Sequence, residues 1–350
     1  MQEVIQQFSE TIRKAAADHA HVRIRGSGAK DFYGLALIGD VLDTSPCMGI
    51  VEYEPTELVF TARAGTPLRE VEAALAKNGQ MLPFEPPHFG TAATLGGSVA
   101  CGFSGPRRAS AGSARDFVLG VRMLNGLGED LRFGGQVMKN VAGYDLSRLM
   151  TGSFGTLGLI TEISLKVLPL PEQESTLRME MDEASALDSM SRWAGKPLPM
   201  SASCHADGAL YLRLSGAGSA VEAAQKQLGG DLVADGAVFW QSIREQAHPF
   251  FVGAATLWRL SIKPTSPPLG LGPQLIEWNG GLRWIAENLS PSHAFETAQR
   301  AGGHATLFRG GEKRLGIQRL PANLLEIHKK LKRTFDPEGI LCPGRIHADF

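Results

Sequence analysis

Cysteine is scarce in this 350-residue sequence, and its four copies stand far apart at Cys47, Cys101, Cys204 and Cys342. No C-x-x-C or comparable spacing occurs, which argues against an iron–sulfur or zinc centre built from this chain alone. Isolated thiols suit a reducing compartment better than a disulfide scaffold. Long apolar runs are missing too. The longest uncharged stretch, residues 89–106, has ten Gly, Ser, Thr or Pro among its eighteen residues, so it is no membrane span. The opening residues are amphipathic and carry acids and bases, unlike the apolar centre of a secretory signal. These features predict a cytoplasmic chain that meets a membrane only through partners. The formal net charge of −1 gives no bulk attraction to nucleic acid or anionic lipid. The nine histidines form no ligand cluster, so no metal is expected.

The common nucleotide signatures are absent as well. Gly26 and Gly28 are followed by Asp31 where a G-x-G-x-x-G turn needs its third glycine, and no G-x-x-x-x-G-K-[ST] exists. Glycine itself is abundant and unevenly spread. Fifteen of the 41 glycines lie within residues 90–158, about one residue in five where about 7% is usual. Several separate glycine turns, at 26–28, 65, 90–105 and 152–158, could converge. Backbone N–H groups in tight turns form an anion-binding nest, and small side chains let a pyrophosphate approach the main chain. Convergent turns from distant segments suit a large, extended cofactor better than a lone phosphate.

Periodicity predicts a first helix over residues 4–19, a short strand entering the 26–28 turn, and strands near 49–54 and 57–64. A helix follows over 67–79, then a hairpin around Asn125-Gly126, a short helix near 144–151 and a strand ending near 169. From about Ser175 glycine thins out and strand–helix–strand units recur, which suggests a split β-α-β layer with an antiparallel pair. The end is a basic amphipathic helix stopped at Asp336-Pro337.

Four segments carry a resemblance: "RIRGSG", "AGTPLREVEAALAKNGQMLPFEPP", "GTAATLGGSVACGFSGPRR" and "KNVAGYDLSRLMTGSFGTLGLITEI". In this order they resemble the FAD-binding domain of the vanillyl-alcohol-oxidase (PCMH) type, and the details are most similar to the shorter flavoprotein subunits of bacterial glycolate oxidases. The match is strong over about residues 20–172 and returns at "FDPEGILCPGR". It implies an α+β fold of two domains: a PCMH-type FAD-binding domain over 1–172 and an α/β cap with an antiparallel sheet over 175–320. A helix and tail over 321–350 would return to the first domain. Arg25, Gly26, Ser27, Gly28, Ala29 and Lys30 would form one pyrophosphate-binding turn, and Thr94, Leu95, Gly96, Gly97, Ser98 and Ala100 the second. Gly90, Gly102, Ser104 and Gly105 would let the flavin pass, and Gly152, Gly155, Gly158 and Ile160 would line its adenine or isoalloxazine side. Arg107 and Arg108 would either offset the diphosphate charge or stand in solvent. Covalent relatives often carry a histidine in the first turn; this chain has none there, so the FAD is expected to be non-covalent. His88, beside the second turn, would cap a loop, face solvent or touch the flavin. Cys342 takes the place of the family's usual asparagine and would pack near the flavin.

Oxidising a 2-hydroxy acid needs a cation or metal for the carboxylate, a base for the hydroxyl proton and the flavin as hydride acceptor. Self-sufficient relatives supply the first two from a histidine-rich segment that this sequence lacks. The nearest groups are His304, Arg309 and Arg259. Three readings stay open on the residues. The chain is an FAD-binding subunit of a glycolate oxidase complex, with a larger FAD-containing sister and an iron–sulfur subunit. It is a self-sufficient 2-hydroxy acid dehydrogenase. Or it is a non-catalytic scaffold that keeps the fold.

Overall fold

The computed structural model describes residues 1–35, 37–135 and 145–348. Most of the "KNVAGYD" motif, Lys139 to Tyr144, therefore lies outside the described residues. Two antiparallel sheets divide the chain into two lobes. The first lobe holds a five-stranded sheet in the order Ile50–Glu54, Val59–Arg63, Leu159–Lys166, Val118–Leu124, Asp130–Gly134. The helix Leu68–Ala76 covers it through Leu68, Val71 and Leu75, all fully buried at i, i+3 and i+7 beside Phe60, Ile163 and Leu165. Pro67 stands just before that helix, and Gly79 closes its exit in a left-handed conformation (φ 64°). The first helix, Gln2–Ala17, buries Ile5, Phe8, Ile12 and Ala15 against Val22, Leu159 and Leu341. The expected hairpin around Asn125 joins the last two strands of the sheet.

The second lobe is built on one eight-stranded sheet, larger than the split layer expected from the sequence. Its order is Asp231–Leu232, Gln173–Glu180, Ala209–Gly216, Met200–Ala206, Gln274–Glu277, Leu282–Ile285, Leu257–Ser261, His304–Arg309, and every pairing is antiparallel. The sequence shows the strand–helix–strand unit locally but not the pairing of Met200–Ala206 with Gln274–Glu277, which joins two such units into one sheet. On one face Ala186, Leu187 and Met190 of the helix Glu183–Ala194 pack on Leu210, Leu212 and Ile276. An aromatic cluster covers the other face. There Trp278, Trp284 and Phe308 meet Phe32, Tyr33, Phe89 and Phe103 of the first lobe.

A mostly buried ionic network, open to solvent at Glu174, ties the lobes beside that cluster. Arg107 donates through its Nη2 to Glu174 (2.7 Å) and through its main-chain N–H to Glu85 (2.8 Å). Arg213 donates to Glu85 (2.9 Å), and the Ser215 hydroxyl to Glu174 (2.6 Å). Burial works to raise the Glu85 carboxyl, but Arg213 and Arg107 outweigh it and hold it below the ordinary value.

The final helix, Ala322–Phe335, returns to the first lobe. Its Lys332 is buried and donates to Thr156 O (2.8 Å), Leu341 O (2.6 Å) and the Asp336 carboxylate (2.6 Å). The tail then lies parallel to the Val22–Arg25 strand, with Val22 N–H on Ile340 O and Cys342 N–H on Val22 O, both 2.8 Å. Among the described residues no helix is long and apolar enough to cross a membrane.

Candidate functional site

A cleft of about 870 Å3 opens in the first lobe where the 25–30 turn, the start of the helix Leu95–Cys101, the 154–160 segment and the tail converge. The turn enters from the strand Val22–Arg25 and is closed by Asp31 N–H on Gly28 O (3.0 Å). Gly28 has φ 77°, and a Cβ there would come within 2.3 Å of the Arg25 guanidinium. That position demands glycine. No described residue accepts a hydrogen bond from the main-chain N–H of Gly26, Ser27, Gly28 or Lys30, so the turn offers a nest of free donors to the cleft. Two cations add to it. The Arg23 Nε is buried without a partner among the described residues, and Arg23 lines the cleft. Lys30 is buried, its Nζ 3.4 Å from His88 O and 3.5 Å from Ser98 Oγ, and burial pushes its pKa down. Free amides, an orphaned guanidinium nitrogen and a turn held at a positive φ fit the diphosphate of an extended cofactor.

Of the residues singled out in the sequence, Arg25, Gly26, Ser27, Gly28, Ala29, Lys30, Thr94, Gly96, Gly97, Ala100, Gly155, Gly158 and Ile160 line this cleft. The second turn is corrected. Residues 95–101 form a helix, with Thr94 as its N-cap taking the Gly97 N–H (3.2 Å). The amides of Leu95 and Gly96 donate to Thr66 O and Ala64 O, so these donors are spent inside the protein. Gly96 is small because Ala64 presses on it; an added Cβ would sit 2.6 Å from the Ala64 methyl. Leu95 and Ser98 are buried in the lobe rather than in the cleft. Gly102 is the left-handed C-cap of the helix (φ 66°) and packs on Gly152, whose N–H binds Val99 O. Gly90 lies beside Ala29, Ser104 Oγ accepts the Ala114 N–H, and Gly105 O accepts the Trp278 Nε1–H.

Neither arginine of "GPRR" lines the cleft: Arg107 belongs to the ionic network, and Arg108 lies over Trp278 at 4.4 Å from the ring centroid. His88 sits 3.0 Å from the Glu72 carboxylate, and its main-chain N–H donates to Glu245 (3.0 Å). Sequence reasoning missed Arg23, Cys101, Phe154 and Arg345 as cleft residues. The signal for Arg345 was present in "LCPGR", since its guanidinium holds the turn through Leu35 O (2.6 Å) and Lys30 O (3.4 Å). Cys342 lines the cleft, and its Sγ accepts the Ile24 N–H at 3.3 Å.

A second, small cavity lies between the lobes and is walled by Phe89, Phe103, Ser104, Gly105, Arg244, Arg259, Glu277, Trp278, Trp284 and Phe308. Of the three expected catalytic groups only Arg259 is there. His304 is exposed at the edge of the sheet beside a different cavity, and Arg309 donates to Phe251 O. Arg309 and His304 stand at opposite ends of the edge strand, and Arg309 is held on Phe251 O. Among the described residues no three His, Cys, Asp or Glu side chains could share a metal ion.

Glu277 is buried, and burial pushes its carboxyl up to about 7 against the opposing pull of Trp284 Nε1 (2.8 Å) and Arg259. A carboxyl held above its ordinary 4.5 keeps a proton that the unfolded chain releases. Its contribution to stability is complete below pH 4.5 and is lost as pH rises through 7. With Glu277→Gln, stability relative to the parent is expected to rise by about 2–3 kcal/mol between pH 5 and pH 8, at about 1.4 kcal/mol per unit. Paired urea melts at the two pH values check this, and a constant difference would refute it.

The fold and cleft define a flavoprotein: residues 3–134 match the FAD binding domain family, and the cofactor is FAD. The chain belongs to the family of glycolate oxidase subunit GlcE, since it is 50% identical to that subunit of Escherichia coli strain K12, over 98% of this chain and 97% of the relative. Glycolate oxidase subunit GlcD of Bacillus subtilis strain 168 is 36% identical over 128 residues, 37% of this chain and 27% of that one. A solved alkyldihydroxyacetonephosphate synthase shares the fold at a TM-score of 0.65 and 15% identity, covering 95% of this chain and 73% of its own.

Proposed function

We propose that the chain is the FAD-carrying subunit of a heteromeric glycolate oxidase, in which glycolate is oxidised to glyoxylate. The observation that carries this reading is the 50% identity to subunit GlcE over nearly the whole of both chains. The partners are a larger FAD-containing subunit and an iron–sulfur subunit, and the complex is cytoplasmic or peripheral on the inner membrane. Residues 1–172 form the FAD-binding domain, 175–320 the cap, and 321–350 the returning helix and tail.

Bound FAD supplies the two-electron acceptor for an alcohol carbon. The free amides of Gly26, Ser27, Gly28 and Lys30 take the diphosphate oxygens, with Arg23 and Lys30 balancing their charge. Gly97, Ala100, Gly155, Gly158 and Ile160 keep the cleft walls low beside them. Attachment is non-covalent. The turn has no histidine, and burial pushes the nearby Cys101 thiol up to about 11, where it stays protonated and a poor nucleophile.

The test is the visible spectrum of the isolated chain, anaerobic, before and after glycolate. A flavin spectrum that does not bleach, with the yellow colour freed by acid precipitation, is expected of a subunit that relays electrons. Colourless protein that FAD cannot reconstitute would overturn the reading. Bleaching by glycolate alone would instead support oxidation on this chain, a second reading favoured by Arg259 in the cavity between the lobes.

A further inference from the structure

The loop of residues 85–90 runs where the lobes meet, beside the first turn of the cleft. It touches that turn twice: His88 O lies 3.4 Å from the Lys30 Nζ, and Gly90 lies beside Ala29. Pro86 and Pro87 carry no N–H, so the loop has few amides to anchor it. Two of its residues, Glu85 (φ 44°) and Phe89 (φ 51°), sit in the left-handed region despite their side chains. Such backbone persists only where its surroundings hold it. At Glu85 the hold is the ionic network. At Phe89 it comes from the second lobe. The N–H groups of His88 and Phe89 both donate to one oxygen of Glu245, each at 3.0 Å. Two successive amides on one carboxylate make an anion nest.

Glu245 stands where its own helix does not favour it. It is the C-cap of the helix Gly236–Arg244, and a negative charge there opposes the helix dipole. Its second oxygen takes the Arg244 Nε–H (2.8 Å), which turns the first towards the loop. Lys30 completes the chain of contacts. Among the described residues no carboxylate pairs with its ammonium, whose contacts are His88 O and the Ser98 hydroxyl (3.5 Å). Burial pushes the Lys30 pKa down, against the opposing pull of Cys101 and Glu245.

We propose that Glu245 is a positioning residue for the cofactor site: by fixing the His88 and Phe89 amides from the second lobe, it keeps the His88 carbonyl, and through it the Lys30 ammonium, in place at the cleft wall. Affinity for FAD in the first lobe then depends on a side chain of the second that lines no part of the cleft. The proposal rests on the reading of that cleft as the FAD site.

The experiment is FAD titration of the apo chain, followed by fluorescence quenching, with a melting temperature for each protein. Glu245→Ala is expected to weaken FAD binding at least about tenfold, the loss of one hydrogen bond to a charged group. Glu245→Gln keeps an oxygen for the two amides and is expected to lose less. In a Lys30→Met background, itself weaker than the parent, Glu245→Ala is expected to cost less than about threefold more, because the two residues act in series. The full loss in both backgrounds would mean that Glu245 acts without Lys30, and would overturn the proposal. Parental affinity in a folded Glu245→Ala would overturn it too, as would tighter binding in both Glu245 variants, the outcome if its charge only repels the diphosphate. If Glu245→Ala does not fold, Glu245→Gln is compared in the two backgrounds by the same criteria. Lys30→Met at parental affinity would remove Lys30 from the FAD site and overturn the route through it. A parent that binds no FAD would overturn the flavoprotein reading, and this one with it.

Discussion

Gly28→Val is expected to leave the purified chain colourless, with FAD affinity reduced at least about 100-fold. Gly28 holds φ 77°, and any Cβ there meets the Arg25 guanidinium at 2.3 Å. The Arg25 guanidinium is the end of a flexible side chain and can swing aside, but a β-branched residue is strained at this φ by about 1–3 kcal/mol, and relieving that strain re-aims the turn. The larger loss is in the nest. The free N–H groups of Gly26, Ser27, Gly28 and Lys30 are aimed together by this one conformation. Hydrogen bonds to a charged partner contribute about 1.5–3 kcal/mol each, so misdirecting two removes 3 kcal/mol or more. Each 1.4 kcal/mol is a factor of ten in binding. FAD titration followed by fluorescence quenching measures it. Retention of FAD at parental affinity would show that the diphosphate lies elsewhere.

Lys332→Met is expected to cost about 3–5 kcal/mol of folding stability, the largest effect of any single change away from the nest. The cause is what is left behind. Asp336 is 1% exposed, and it takes the N–H groups of Leu341 (2.8 Å) and Ile340 (3.2 Å) as well as the ammonium. Without Lys332 that carboxylate is buried without a cation, and Thr156 O and Leu341 O lose their donor. Urea denaturation of the two proteins at pH 7 gives the difference. Adding Asp336→Asn to the variant should restore part of it, because the uncompensated charge is then gone. A loss below about 1 kcal/mol would mean that the site relaxes to admit water.

The strands and helices were largely legible because their signals are local. Leu68, Val71 and Leu75 announce a buried helix face, and the alternation of Leu58, Phe60 and Ala62 announces the strand Val59–Arg63. The eight-stranded sheet was not legible, since joining Met200–Ala206 to Gln274–Glu277 spans more than seventy residues and no local pattern encodes it. The cleft was legible at the 25–30 turn, where glycine and φ go together. Residues 94–100 misled because a threonine followed by small residues reads as well for a loop as for a capped helix, and the contact of Gly96 with Ala64 decides it. Arg23 and Arg345 were missed for a plainer reason. An arginine carries no mark of the wall it will line until distant segments meet around it. Glu277 escaped notice likewise, because its shift arises from burial between two lobes.

The tail beside the Val22–Arg25 strand sets an order of events during synthesis. The first turn of the cleft is translated early, but Cys342 and Arg345, which wall it and hold it through Ile24, Leu35 and Lys30, leave the ribosome more than three hundred residues later. A nascent chain can therefore fold much of its first sheet while its cofactor pocket still lacks a side. The pocket is complete only once residues 341–345 are made, and a ribosome stalled before residue 341 would hold a chain that has its nest and cannot close it.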